Sequence, residues 1–155
     1  MDSYFFVKTL HILSATILFG TGIGIAFFMF RSFFAHDIKQ KIYAANNTVL
    51  ADYFFTLPAV IIQPITGLWL VWKGGYSWDD SWLMTSYFLY LIAGLCWLPV
   101  VWIQIQLKRL LVHHQETNTP LPERYNTLVK VWCFLGWPAF ISLVVIFYLM
   151  VAKPI

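Results

Sequence analysis

Charge is scarce in this 155-residue chain: ten lysines and arginines and seven acidic residues make up 11% of it, with four histidines besides. The net charge is +3 and no basic run is dense, which excludes nucleic acid as a partner. Cysteine is nearly absent as well. Cys96 and Cys133 both fall inside apolar runs, where two thiols give neither zinc spacing nor a disulfide framework, and they read as small buried hydrophobes. Also missing are a phosphate loop, a nucleophile beside a base and a carboxylate pair within the apolar runs, so no enzymatic constellation is visible.

What is present is apolar: 60% of residues are hydrophobic and 19% aromatic, a membrane composition. About twenty apolar residues cross the hydrocarbon core as a helix, and four segments reach that length, at 4–30, 51–73, 83–111 and 127–152. The pattern predicts an all-α integral membrane four-helix bundle, one transmembrane domain over residues 1–155. The first run follows Met1-Asp2-Ser3 rather than basic residues and is too long for a signal-peptide core, so it reads as a retained span.

Arg31, Lys39, Lys41, Lys108, Arg109, Arg124 and Lys130 lie in or beside the first and third connections; the opposite side holds Lys8, Lys73 and Lys153. The positive-inside rule then predicts both termini and the 74–82 hairpin outside, with connections 31–50 and 112–126 in the cytoplasm. Trp69, Trp72, Tyr76, Trp78 and Trp82 gather around that hairpin as an interfacial belt would. The connections are too short for a second domain, so function resides in the bundle or on its rims.

Several residues stand out within the spans. Gly20 and Gly24 make a GxxxG step with Gly22 between them, either a packing notch or a slot for a planar ligand against bare backbone. The second span, ADYFFTLPAVIIQPITGLWLVWK, carries Pro58 and Pro64, which remove two donors and release carbonyls near Phe54 and Val60. Asp52, Thr56, Gln63 and Thr66 on or near that span suggest a polar seam. Asp52 follows Asn46, Asn47 and Thr48, where it either supports a helix N-terminus or pairs with Arg31 or Lys130. With Pro99 and Pro138 in the third and fourth spans, kinks in three of four helices favour a cavity in the middle of the bundle.

His11 is the ionisable group deepest in the first span, and such residues are costly and usually face the bundle interior. It lies about 10 Å inside the outer helix end, level with Thr66 to Trp69, Tyr87 to Leu91 and Phe147 to Tyr148. Three roles fit a neutral imidazole there: a hydrogen bond to Tyr90, Tyr148 or Thr66, an axial ligand to haem, or a proton relay. Imidazole is a common iron ligand and a four-helix bundle offers a core site, with Gly20 and Gly24 giving a macrocycle room and Tyr90 lining it. His36, His113 and His114 lie in or beside the cytoplasmic connections, which leaves Met84, Lys8, a dimer mate or an open position opposite His11.

The stretches KTLHILSATILFGTGIG, ADYFFTLPAVIIQPITGLWL, LCWLPVVWIQIQL and LGWPAFISLVVIFYLMVAKP resemble an uncharacterised bacterial family of small four-helix predicted integral membrane proteins. That resemblance covers nearly the whole chain, implies a multi-pass protein of the bacterial inner membrane, and brings no established activity. The KxxH step at Lys8 and His11, followed by Arg31 and His36, is similar to the first helix of the HemJ-type protoporphyrinogen oxidases and, more loosely, to CopD-like membrane proteins. It implies haem b at His11; the tyrosine-histidine pair of that family's third helix has only its tyrosine side here, in Tyr87 and Tyr90.

Three function classes follow. One is a haem b-binding or redox-associated bundle built on His11. Another is a non-catalytic subunit or scaffold, packed in the lipid bilayer against a membrane protein partner or a second copy. The third is a small carrier using Asp52, Gln63 and His11, which with four spans works as a homodimer.

Overall fold

The computed structural model describes residues 2–153, all helix and short connections, with no strand among them. Helix α1 spans Asp2–Phe33, α2 Ile38–Ala51, α3 Leu57–Gly74, α4 Ser81–Thr117 and α5 Glu123–Ala152. A single wide turn, Asp52–Thr56, joins α2 to α3 without a break, so four rods result, each long and apolar enough to cross a membrane.

The rods exceed the expected spans, and the excess lies mostly at one end. Residues 31–50 are helical from Ile38 onward, leaving only residues 34–37 as a link. The reason is a helical stripe inside a polar segment: Ile38, Ile42, Ala45 and Thr48 recur at steps of four and three. Ala45 and Thr48 are buried, and Ile38 and Ile42 pack beside them. Asp37 starts α2 by accepting the Lys39 backbone N–H at 2.9 Å. Lys41 then reaches back to donate to the Phe33 carbonyl at 3.1 Å, matching a cation to the exposed carbonyls that end α1.

The other helix ends have equally local causes. Gly75 closes α3 in the left-handed region, at φ 69°, where a side chain would be strained. Asn118 does the same for α4 at φ 54°, and Pro120 and Pro122 follow before α5 begins. In the hairpin between α3 and α4 the Ser77 hydroxyl donates to the exposed Asp79, holding its carboxyl below the usual carboxylate range.

Helix α1 packs along α3 and α4 along α5, with α2 bridging both pairs at the end rich in lysine and arginine. There Met29, Ala45, Ile103, Leu107, Leu111, Tyr125, Leu128 and Trp132 make one core from all the rods. At the hairpin end Val71, Trp82, Leu83 and Leu149 make another, and Lys153 donates to the Tyr76 hydroxyl at 2.5 Å over the aromatic rim. Between the two, the buried positions are mainly small or polar: Ser14, Ala59, Thr66, Ser86, Ala93 and Ser142. Hydrocarbon gives apolar side chains no reason to leave it, so close approach there depends on small residues and hydrogen bonds. Phe28, Leu98 and Phe134 accordingly face outward.

The prolines of the second rod act as their chemistry requires. Pro64 leaves the Val60 carbonyl without its helical donor, and the Tyr90 hydroxyl of α4 donates to it at 2.7 Å. Pro58 follows the wide turn, in which Leu57 donates to the Asp52 carbonyl, five residues back instead of four. Pro58 also lines a groove of about 480 Å³, with Tyr53, Phe54, Leu57, Ile61 and Ile62. It faces outward, where Tyr53, Phe54 and Ile61 are exposed, and not into the middle of the bundle. Pro99 and Pro138 sit inside unbroken helices.

Tyr90→Phe deletes the one hydroxyl that satisfies Val60. The variant is expected to lose about 1 kcal/mol of stability, read as an earlier unfolding midpoint in mild detergent, whereas Tyr148→Phe, on an exposed ring, leaves the midpoint unchanged.

Candidate functional site

Two polar clusters interrupt the apolar interior, and α3 carries part of each. At the first, His11 Nδ1 lies 2.7 Å from the Thr66 hydroxyl. The Thr66 hydroxyl is itself 2.7 Å from the Ile62 carbonyl, which can only accept. With the hydroxyl proton committed there, Nδ1–H is the donor to Thr66 and Nε2 is the bare acceptor of the ring, an assignment made from the bonding pattern. The ring edge rests on Gly67: a Cβ at that position would stand 3.3 Å from His11 Cε1. A side chain there would need the imidazole to give way by a few tenths of an ångström, so the glycine lets the ring lie this close to α3.

Gln63 completes the cluster by donating to the His11 carbonyl at 2.7 Å and to the Ser14 hydroxyl at 2.5 Å. Gln63, one turn from Thr66 on α3, thus ties α1 to α3 at the level of His11. Three of the candidate residues, His11, Gln63 and Thr66, form one contact set. Ser14 was not anticipated; a lone small hydroxyl among apolar residues gives little signal in sequence.

The second cluster surrounds Asp52. This carboxyl is not at a helix N-terminus, because α2 runs straight into it, and neither Arg31 nor Lys130 is its partner. It is 3% exposed, and Trp97 Nε1–H donates to Oδ1 at 3.4 Å. The Thr56 hydroxyl and the Gln104 amide face the same carboxyl. Both side chains are as deeply buried, at 3% and 2% exposed. Yet Asp52 Oδ2, Thr56 Oγ1 and Gln104 Oε1 have no hydrogen-bond partner among the described residues. Gln104 stands about 6 Å inside Lys108 along α4, so the pocket lies within the apolar part of the rods. Gln104 and Trp97 were not singled out in the sequence, although the two glutamines of WIQIQLKR are out of place in an apolar run.

The remaining candidates lie elsewhere. Among the described residues no atom of a neighbouring helix comes within 4 Å of where a Cβ would stand on Gly20, Gly22 or Gly24, so the GxxxG step is not a helix-packing notch; the space beside it is open. Tyr90 is engaged with the Val60 carbonyl rather than with His11. Among the described residues no three His, Cys, Asp or Glu side chains gather as a metal-ligand set. Cys96 and Cys133 are free and partly buried.

One face of the second rod joins the clusters. Asp52, Thr56, Ala59, Gln63 and Thr66 follow one another at steps of four and three, and all but the half-buried Gln63 are buried. The expected seam of Asp52, Gln63 and Thr66 is therefore one helix face, about 21 Å long at the ordinary helical rise.

No curated protein and no solved structure matches the chain. A family model described as predicted integral membrane protein (DUF2269) matches residues 5–154. With nearly the whole length covered and four membrane-spanning helices in its fold, the chain belongs to the DUF2269 family of predicted integral membrane proteins.

Proposed function

We propose that the chain is a small carrier of the bacterial inner membrane, working as a homodimer, in which a proton is passed between Asp52 and His11 along the polar face of the second rod. The observation that carries this reading is that face itself, with a deeply buried carboxyl at one end and an imidazole at the other. Uncompensated carboxylates are costly in hydrocarbon and are kept where they do work. Asp52 exchanges a proton at Oδ2, the oxygen that Trp97 leaves free. His11 accepts a proton at Nε2 while Nδ1–H stays on Thr66. Between them stand Gln63, the Ser14 hydroxyl and, at the Val60 turn, the Tyr90 hydroxyl.

The test is dissipation of an imposed pH gradient in liposomes containing the purified protein and a pH-sensitive dye. Wild-type protein collapses the gradient faster than protein-free vesicles, and Asp52→Asn or His11→Phe slows the protein-dependent rate by about tenfold or more. A wild-type rate equal to that of empty vesicles refutes the relay.

A second reading has its own observation. Metal-ligating histidines commonly donate the other ring N–H to a fixed acceptor, and His11 donates Nδ1–H to Thr66 with Nε2 left over. His11 could thus hold the iron of haem b through Nε2. Gly20 and Gly24, nine and thirteen residues away on α1, and Tyr90, bonded to Val60, do not converge on that ring.

Protein purified from haem-replete cells decides between the two. On the haem reading a Soret band is present, is lost in His11→Ala, and is retained with about tenfold weaker haem affinity in Thr66→Val; well-folded wild-type protein without the band removes this reading and leaves the relay standing.

A further inference from the structure

The geometry points to a binding site for one desolvated monovalent metal cation of sodium size at Asp52, Thr56 and Gln104. It needs only this pocket and holds whether or not protons travel the rest of the seam.

Three oxygens, Asp52 Oδ2, Thr56 Oγ1 and Gln104 Oε1, gather around one carboxyl without a partner at full hydrogen-bond geometry among the described residues, on side chains 3%, 3% and 2% exposed. Such groups are almost always satisfied in folded proteins, so three together call for a guest. A cation suits the place: Asp52 Oδ2 and Gln104 Oε1 can only accept, the Thr56 hydroxyl oxygen can turn a lone pair toward the guest, no lysine or arginine pairs with the carboxyl among the described residues, and Trp97 already donates to its other oxygen. Oxygen ligands select hard cations over copper or zinc. Charge balance then fixes the valence. One carboxylate with one monovalent ion leaves the pocket neutral, whereas a divalent ion would bury an uncompensated charge in hydrocarbon.

The backbone supports the same assignment. Asp52 and Thr56 are four residues apart across the wide turn, and that turn, with its carbonyl pairing shifted by one residue, sets both side chains against α4 at Gln104. Single wide turns of this kind are frequent at functional sites. Binding and protonation exclude each other: when the cation enters beside Oδ2, a proton held there leaves to solvent.

The test uses full-length protein in mild detergent with radioactive sodium in a scintillation proximity assay, at constant ionic strength made up with choline chloride. Saturable binding of one ion per chain is expected, weakening as the pH falls and protons occupy the carboxyl. Asp52→Asn abolishes it, and Thr56→Val and Gln104→Leu, which keep the carboxyl, weaken it by about tenfold each. Folding is checked by a monodisperse gel-filtration peak, and the Thr56 and Gln104 variants keep the test decisive where Asp52→Asn does not fold. The site is overturned by absent saturable binding to folded wild-type protein, or by wild-type affinity in both Thr56→Val and Gln104→Leu. Because the measurement is an equilibrium in detergent, its failure is separate from failure of proton flux in liposomes.

Discussion

In hydrocarbon every polar group has to find its partner inside the protein, and this requirement organises the bundle more than apolar packing does. Pro64 creates a carbonyl with no donor, and Tyr90 from α4 supplies one. The pair ties α3 to α4 midway between the two apolar cores. Gln63, next to that proline, spends its amide on α1, bonding the His11 carbonyl and Ser14. A helix break in one rod and a polar side chain beside it thereby specify which neighbours the rod takes on two sides. The apolar cores lie toward the two ends of the rods, one at the lysine- and arginine-rich end and one at the hairpin.

The same requirement gives the Asp52 pocket its meaning. Around His11 the bonds close: Thr66 accepts from the ring and donates to Ile62, and Gln63 bonds both the backbone and Ser14. Around Asp52 they do not, although the groups are more deeply buried. A polar network with loose ends is worse than an apolar core of the same volume. Its place beside a turn already distorted from regular helix is what the cation site proposed above rests on.

Much of this arrangement was legible because polar residues in apolar runs announce themselves. His11, Asp52, Gln63 and Thr66 differ from their surroundings in kind, and the two prolines named the carbonyls they would free, one of which Tyr90 does satisfy. What was hidden was hidden by composition. Residues 38–50 look like a loop because lysines, asparagines and a glutamine dominate them, yet four residues at helical spacing carry the packing. Without that helix Asp52 reads as supporting a helix N-terminus or as pairing with Arg31 or Lys130, and the structure has it in neither role. The opposite error befell Gly20 and Gly24, whose spacing suggests helix contact where there is open space, while Gly67, alone in its run, supplies the close approach to His11. A motif of small residues permits contact; a facing side chain is needed to make it.

The distribution of packing also separates what holds the protein together from what it is free to do. Both ends are fixed, one by a core drawn from every rod with Lys41 capping α1, the other by the aromatic rim with Lys153 on Tyr76. The middle is joined by a few hydrogen bonds, each worth about 1 kcal/mol in such settings. His11 lies in that middle, while the Asp52 pocket borders the lysine- and arginine-rich core, since Gln104 sits between Ile103 and Leu107. Had the seam been filled with large apolar side chains the rods would pack more continuously, but the polar face of the second rod would close. The sparse middle is what the carrier proposed above would require, and the two tight ends are what would make it tolerable.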